Sequence, residues 1–181
     1  MESVAKKAVV IALMRALAEA GSWCGETHVQ KAVFILQTVA HVPTGYEYIL
    51  YKHGPFSFGL RDELATMRAE NLVELVIRSP DYGPAIVPTA SSARLEDAAK
   101  ETLSWFQAEI AFVARAVGNK GVAELERIAT ALLIFRDNPP GTSAESTAQK
   151  LRELKPHVSE ADAIAAITEA RELTNSAPHA A

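Results

Sequence analysis

Three groupings of residues in this chain could do chemistry. Cys24 and His28 are a closely spaced Cys-His pair, and a zinc site built on them would need further ligands, for which Glu26 and His41 are the near supplements. The alternative, a buried thiol beside a helix start, requires nothing more. A cysteine nucleophile would also need a base and an orienting group, and the spacing singles out neither. His53 and Ser57 flank Gly54-Pro55, and Pro55-Phe56-Ser57-Phe58-Gly59 has the outline of a nucleophile elbow. It lacks the first glycine and a surrounding parallel-sheet pattern, so Ser57 reads as the cap of the next helix and His53 as a locally bonded turn residue. Asp62 and Glu63 are neighbours that project about 100° apart on a helix, so they do not converge as a catalytic pair and suit a solvated helix start instead. The glycines are scattered and form no phosphate-cradling loop. No catalytic residue, metal site or cofactor is therefore expected.

These residues sit on elements that the apolar spacing sets out. Val9, Leu13, Ala16 and Leu17 stripe a first helix from about Ser3 to Ala20, read as a surface helix that Gly21 stops. A short link leads to a second helix, about Glu26 to Ala40, striped by Val29, Val33, Leu36 and Ala40, so the pair makes a helix-turn-helix-like corner. Aromatic and β-branched residues mark Tyr46–Tyr51 as a strand with Tyr46, Tyr48 and Leu50 on one face. After the Gly54-Pro55 turn comes a helix to about Glu70, carrying Leu60, Leu64 and Met67, which Asn71 ends. Leu72–Arg78 and Ala85–Pro88 read as a hairpin around the turn at 79–84. That order is the order of a winged helix, with 72–88 as the wing and 46–51 as the third strand of its sheet.

From Ser91 the pattern becomes helical. Leu95, Ala99, Leu103, Phe106, Ile110, Val113 and Val117 predict one continuous helix, broken by Gly118–Gly121. A helix from Val122 to Arg136 follows, with Leu125, Ile128, Leu132 and Phe135 inward, and Asn138–Gly141 stops it. Thr142 with Glu145 and Ser159 with Asp162 look like capping boxes for two more helices, the last running through Ile164, Ile167 and Ala170. Thr174–Ala181 reads as frayed tail. The expected fold is thus mostly α (α+β): a winged-helix-like part over residues 1–90 with a small antiparallel sheet, a helical bundle over 91–175 packed on it, and a tail at 176–181.

Composition bounds the partners. Net charge is −4 at pH 7, and residues 1–90 carry 8 Lys and Arg against 9 Asp and Glu, so no broad field draws the chain to nucleic acid or anionic membrane. The single cysteine leaves no intrachain disulfide, and a reducing cytoplasmic home is expected. Lys6-Lys7 before an apolar run looks superficially like a secretion signal, but Arg15 and Glu19 interrupt the run. No stretch reaches the ~20 apolar residues that span a bilayer.

Three blocks carry a family likeness: Val29–Gln37, Leu50–Ser57 and Asn71–Glu74. Together they resemble YwgA-like proteins and the related Panacea domain of SocA-like antitoxins, in which an "LQKLLYxLQ"-like helix, a "YGPxS" turn and a "GLV" strand start occur. The segment Leu154–Asp162 is also similar to the C-terminal part of YwgA-like chains. Two departures stand out: His53 replaces the usual Tyr, and Asn71 the common Gly. The resemblance implies a non-enzymatic module, antitoxin-like, that acts through protein contacts with a toxin or other cytoplasmic partner. The candidate partner-binding residues are Gln30, Lys31, Lys52, His53, Gly54, Pro55, Phe56 and Ser57. The alternative is a dimeric winged-helix DNA-binding regulator that uses helix two or Ser57–Glu70, although Arg61 and Arg68 are offset there by Asp62, Glu63 and Glu70.

Overall fold

Nine consecutive residues, His28 to Leu36, are buried, and the fold is built around the helix that carries them. The structure, a computed structural model, describes residues 1–80, 82–138 and 142–178. In chain order they form α1 (Ser3–Glu19), α2 (Glu26–Thr38), β1 (Ile49–Tyr51), β2 (Gly54–Phe56), α3 (Phe58–Ala69), β3 (Val73–Val76), β4 (Ala85–Pro88), α4 (Ser92–Ala98), α5 (Lys100–Trp105), α6 (Gln107–Val117), α7 (Val122–Asp137), α8 (Ala144–Leu154) and α9 (Glu160–Ser176). The result is mostly α, with two small antiparallel sheets and a C-terminal helical bundle.

α1 is not the surface helix that its spacing predicts. Val9, Leu13 and Leu17 are buried as expected, but Ala8, Val10, Ile11 and Met14 are buried too. A helix apolar on nearly every side is one enclosed on nearly every side. The enclosing elements are α2, β4 and the segment α4–α6. That segment is not the continuous helix predicted either. It bends at Ala99 and Phe106, where φ is near −105° and ψ near 15°, with neither glycine nor proline to announce the breaks. The bends let three short helices follow α1, and Ile110, Val113 and Val117 still face inward.

Local stop signals hold. Gly21 has φ 93° and closes α1 with bonds from its own N–H to Ala18 and from Ser22 to Leu17; Asn71, with φ 57°, closes α3 in the same way through Arg68 and Met67. Ser57 caps α3 by accepting from Leu60 N–H at 3.2 Å, and Leu60, Leu64 and Met67 are its buried stripe. Ser159 caps α9 as expected, but α8 is capped by Ser143 rather than Thr142. In α9, Ile167 and Ala170 face the core while Ile164 is half exposed, its inward place taken by Ala163. The helix runs on to Ser176, past the expected start of the tail, because Leu173 is still anchored. Of the turn and stop residues expected elsewhere, Asp81 and Pro139–Gly141 lie outside the described residues, as do His179–Ala181.

The sheets depart from the predicted winged arrangement. β3 pairs with β4, Val73 opposite Pro88 and Val76 opposite Ala85, as the wing requires. The third position beside β4 is filled by the α1–α2 link, not by 46–51: Gly25 bridges to Ala85, and Ile86 N–H donates to the Cys24 carbonyl at 2.9 Å. Residues 46–51 alternate buried and exposed as an extended chain should, but only Ile49–Tyr51 forms a ladder, and its partner is β2. One cluster of buried side chains runs from Val9 to Ala177 and joins the parts before and after residue 90.

Candidate functional site

Two glutamines on α2 hold both ends of the 46–57 stretch. Gln30 and Gln37 are seven residues apart and so share a helix face. The Gln30 amide accepts from Ser57 N–H and donates to Ser57 C=O, each at 3.0 Å, and the pair is buried. Gln37 does the same for Tyr46, accepting from its N–H and donating to its C=O, each at 2.9 Å, while Thr44 Oγ1 also donates to Gln37 Oε1. Each amide thus replaces a missing strand neighbour, which is why 46–48 stays extended without entering a sheet. Between the clamps Tyr48 packs edge-on to Phe34 at 5.0 Å, and Tyr46 donates through its hydroxyl to Glu63. Glu63, singled out with Asp62 as a possible acid, is therefore a structural acceptor, which Lys6 also approaches at 3.5 Å.

The hairpin turn is pressed onto α7. Tyr51 pairs with Gly54 across Lys52-His53, and the positive φ that the reversal needs falls on Gly54, at 85°. A Cβ there would lie 2.9 Å from Thr130 Oγ1 and 3.4 Å from the Glu126 carbonyl, so only glycine fits both the conformation and the space. Beneath the turn lies an ionic cluster. Lys155, at the end of α8, donates to the Lys52 carbonyl at 2.7 Å and to Glu126 Oε1 at 2.5 Å. His53 Nδ1 stands 3.3 Å from Glu126 Oε2. Burial alone would raise the Glu126 pKa, but the Lys155 and His53 contacts outweigh it and hold the carboxyl below its ordinary value.

Lys31 adds a further cation to the cluster and is 1 % exposed. Burial pulls it down from 10.5 to about 8; the Glu126 and Glu26 charges work the other way, and Lys155 adds to the depression. At neutral pH a lysine with a pKa of about 8 is still mainly the charged ammonium, not the free amine that a nucleophile or base needs.

The predicted site residues are thus brought together, though in two roles. Gln30, Lys31, Gly54, Pro55 and Ser57 are buried and set the shape from beneath. Lys52 and His53 are exposed, Phe56 half so. The outer face is aromatic: Tyr51, Phe56 and Phe58 pack mutually at 5.2–5.6 Å between centroids, and the Arg61 guanidinium lies over Phe58 at 5.1 Å. Tyr51 is 53 % and Phe58 41 % exposed. Sequence reasoning missed Glu126, Thr130 and Lys155. The one pointer to them was a lysine lodged in the apolar run of α2, which demands a carboxylate somewhere.

The other groupings separate. Cys24 is buried with its thiol 3.5 Å from the Met14 carbonyl, and burial raises its pKa, so the thiolate that a nucleophile needs is suppressed. Burial likewise lowers His28, against the Val117 carbonyl. Among the described residues no three His, Cys, Asp or Glu side chains gather as metal ligands. Ser57 spends its hydroxyl on capping α3 and is 1 % exposed. Among the described residues no helix is long and apolar enough to cross a membrane. No protein-family model and no curated protein matches the chain.

Proposed function

We propose that this protein is a non-catalytic, cytoplasmic regulatory module of the antitoxin-like kind, and that it acts by protein–protein contact through the β1–β2 hairpin and the start of α3. The observation that carries this reading is the aromatic trio Tyr51, Phe56 and Phe58, with Tyr51 and Phe58 exposed and Arg61 laid over Phe58. Aromatic and arginine side chains are the residues most enriched at interface hot spots. A surface that is already held in place loses little entropy on binding, and the two glutamine clamps and the Gly54 contact fix this one from below. The partner this suits is a protein with an apolar recess rimmed by carboxylates, which would meet Arg61 and Lys52; a toxin or another cytoplasmic protein is the expected class.

The alternative, a dimeric DNA-binding regulator, has α3 as its remaining helix, because α2 is buried along its length. The order of three helices and a hairpin, with Gly25 bridging to Ala85, supports a winged-helix reading of that part. Charge works against a nucleic-acid role: on α3, Arg61 lies 3.6 Å from Asp62, and Glu63 and Glu70 are each within reach of a lysine. Affinity capture from extract of the native cell, with this chain as bait, tests the reading. One stoichiometric protein partner is expected, together with flow-through on heparin at low salt. Recovery of no partner, or heparin retention with a steep salt dependence, would overturn it.

A further inference from the structure

The other hairpin leaves one strand edge open. In an antiparallel ladder only every second pair of residues exchanges backbone bonds. Pro88, opposite Val73, has no N–H to give, and the Ile86 N–H, opposite Leu75, is turned to the Cys24 carbonyl on the far side of β4. The bonded pairs are therefore Glu74–Val87 and Val76–Ala85, and the N–H and C=O of Leu75 point away from β4. Ile77 follows in the same phase. Among the described residues no strand or bridge pairs with that edge.

Open edges are normally blunted by proline, lysine or a bulge. Val73–Ile77 contains neither residue, and the ladder register is unbroken. The edge instead shows Leu75, 42 % exposed, and Ile77, 78 % exposed. Its residues are also complementary to themselves. About a two-fold axis through Val76, Leu75 falls opposite Ile77 of a second copy, and Glu74 falls opposite Arg78. Leu75 and Ile77 share a phase, so this register sets outward backbone groups against outward backbone groups, as bonding requires. The four apolar side chains then share one face of the joined sheet, and the two charge pairs share the other. Both charges are available: Glu74 is exposed and makes no ion pair among the described residues, and Arg78, also exposed, lies over the Trp23 ring at 6.0 Å.

We infer that two copies of this chain join edge to edge through β3, with the two-fold axis at Val76, into one four-stranded antiparallel sheet. This edge and the Tyr51–Phe58 surface lie on different hairpins, so either can fail without the other.

Sedimentation equilibrium over a dilution series of the whole chain, with amide exchange on the same samples, tests the inference. The interface is small, so the mass is expected to rise from one chain toward two between about 10 µM and about 1 mM. Over that range, exchange of the Leu75 and Ile77 N–H groups should slow about tenfold. Glu74→Arg sets like charges opposite each other at two places and should weaken association about tenfold, while adding Arg78→Glu should restore it. Ile77→Lys should leave a single chain. Glu74, Ile77 and Arg78 are all exposed, so these variants keep the fold. A single-chain mass at about 1 mM, whether the edge stays bare or takes up a strand of another protein, would overturn the inference. So would a dimer indifferent to Glu74→Arg, or one in which the Leu75 and Ile77 amides exchange as fast as in the monomer.

Discussion

The two hairpins of this protein are held by opposite means. β1–β2 pairs only three residues on each strand, yet its flanks are bonded to Gln30 and Gln37, its turn carbonyl to Lys155, and its glycine pressed against Thr130. β3–β4 has the longer ladder, but its tip is fastened chiefly by Trp23, which donates to the Gly83 carbonyl at 2.8 Å and stacks against Tyr82 at 5.4 Å. Ladder length does not decide how firmly a hairpin is placed on a fold. Buried polar groups do, because any displacement would leave them without partners, at a cost well above the worth of an exposed contact. The short hairpin is therefore a fixed platform for aromatic side chains, while the tip of the long one depends on the Trp23 contacts.

The largest test of this contrast is Gln30→Leu. It strands the Ser57 N–H and C=O in a buried place and should cost about 4 kcal/mol in denaturant unfolding; a loss no greater than that of an exposed substitution would break the comparison. Gly54→Ala combines a left-handed backbone with a 2.9 Å approach to Thr130 and should cost about 3 kcal/mol. An unchanged thermal midpoint would mean that the turn does not rest on α7. Lys31→Met should act in the other sense, raising stability by about 2 kcal/mol at neutral pH because a desolvated charge is removed. Its pH dependence has a definite sign. The native pKa of about 8 lies below the unfolded 10.5, so between those values the unfolded chain holds more protons and native stability climbs with pH. Unfolding curves across that window should show the climb in the parent and lack it in the variant. Trp23→Phe keeps a ring but removes the bond to Gly83, and should cost about 1 kcal/mol while speeding amide exchange in β4 and leaving Ser57 protected.

What the sequence made legible was local. Gly21, Asn71, Ser57 and Ser159 follow rules that need only their neighbours in the chain, and each ends or caps the expected helix. Alternation in 46–51 correctly marked an extended chain, but alternation does not name a partner, and the nearer partner won: β2 lies two residues away, and Gln37 took the rest. The bends at Ala99 and Phe106 arise from following α1, a tertiary demand with no residue to signal it. Gln30 bonds Ser57 in the turn and Lys31 is coupled to Glu126 beneath it, but their inward direction is hidden in the sequence because α2 is buried through nine consecutive residues. Lys31 called for an acid, and with 22 acidic residues in the chain nothing local selected Glu126.

The central claim is that the clamped hairpin, not the tethered one, is where a partner binds. Paired variants read it most directly in one affinity-capture experiment from native extract. Tyr51→Ser with Phe58→Ser strips the first surface; Ile77→Ser with Tyr82→Ser removes the two most exposed large apolar side chains of the second. Loss of the captured partner with the first pair and its retention with the second is the predicted result. Retention with the first pair, or equal loss with both, would contradict the account.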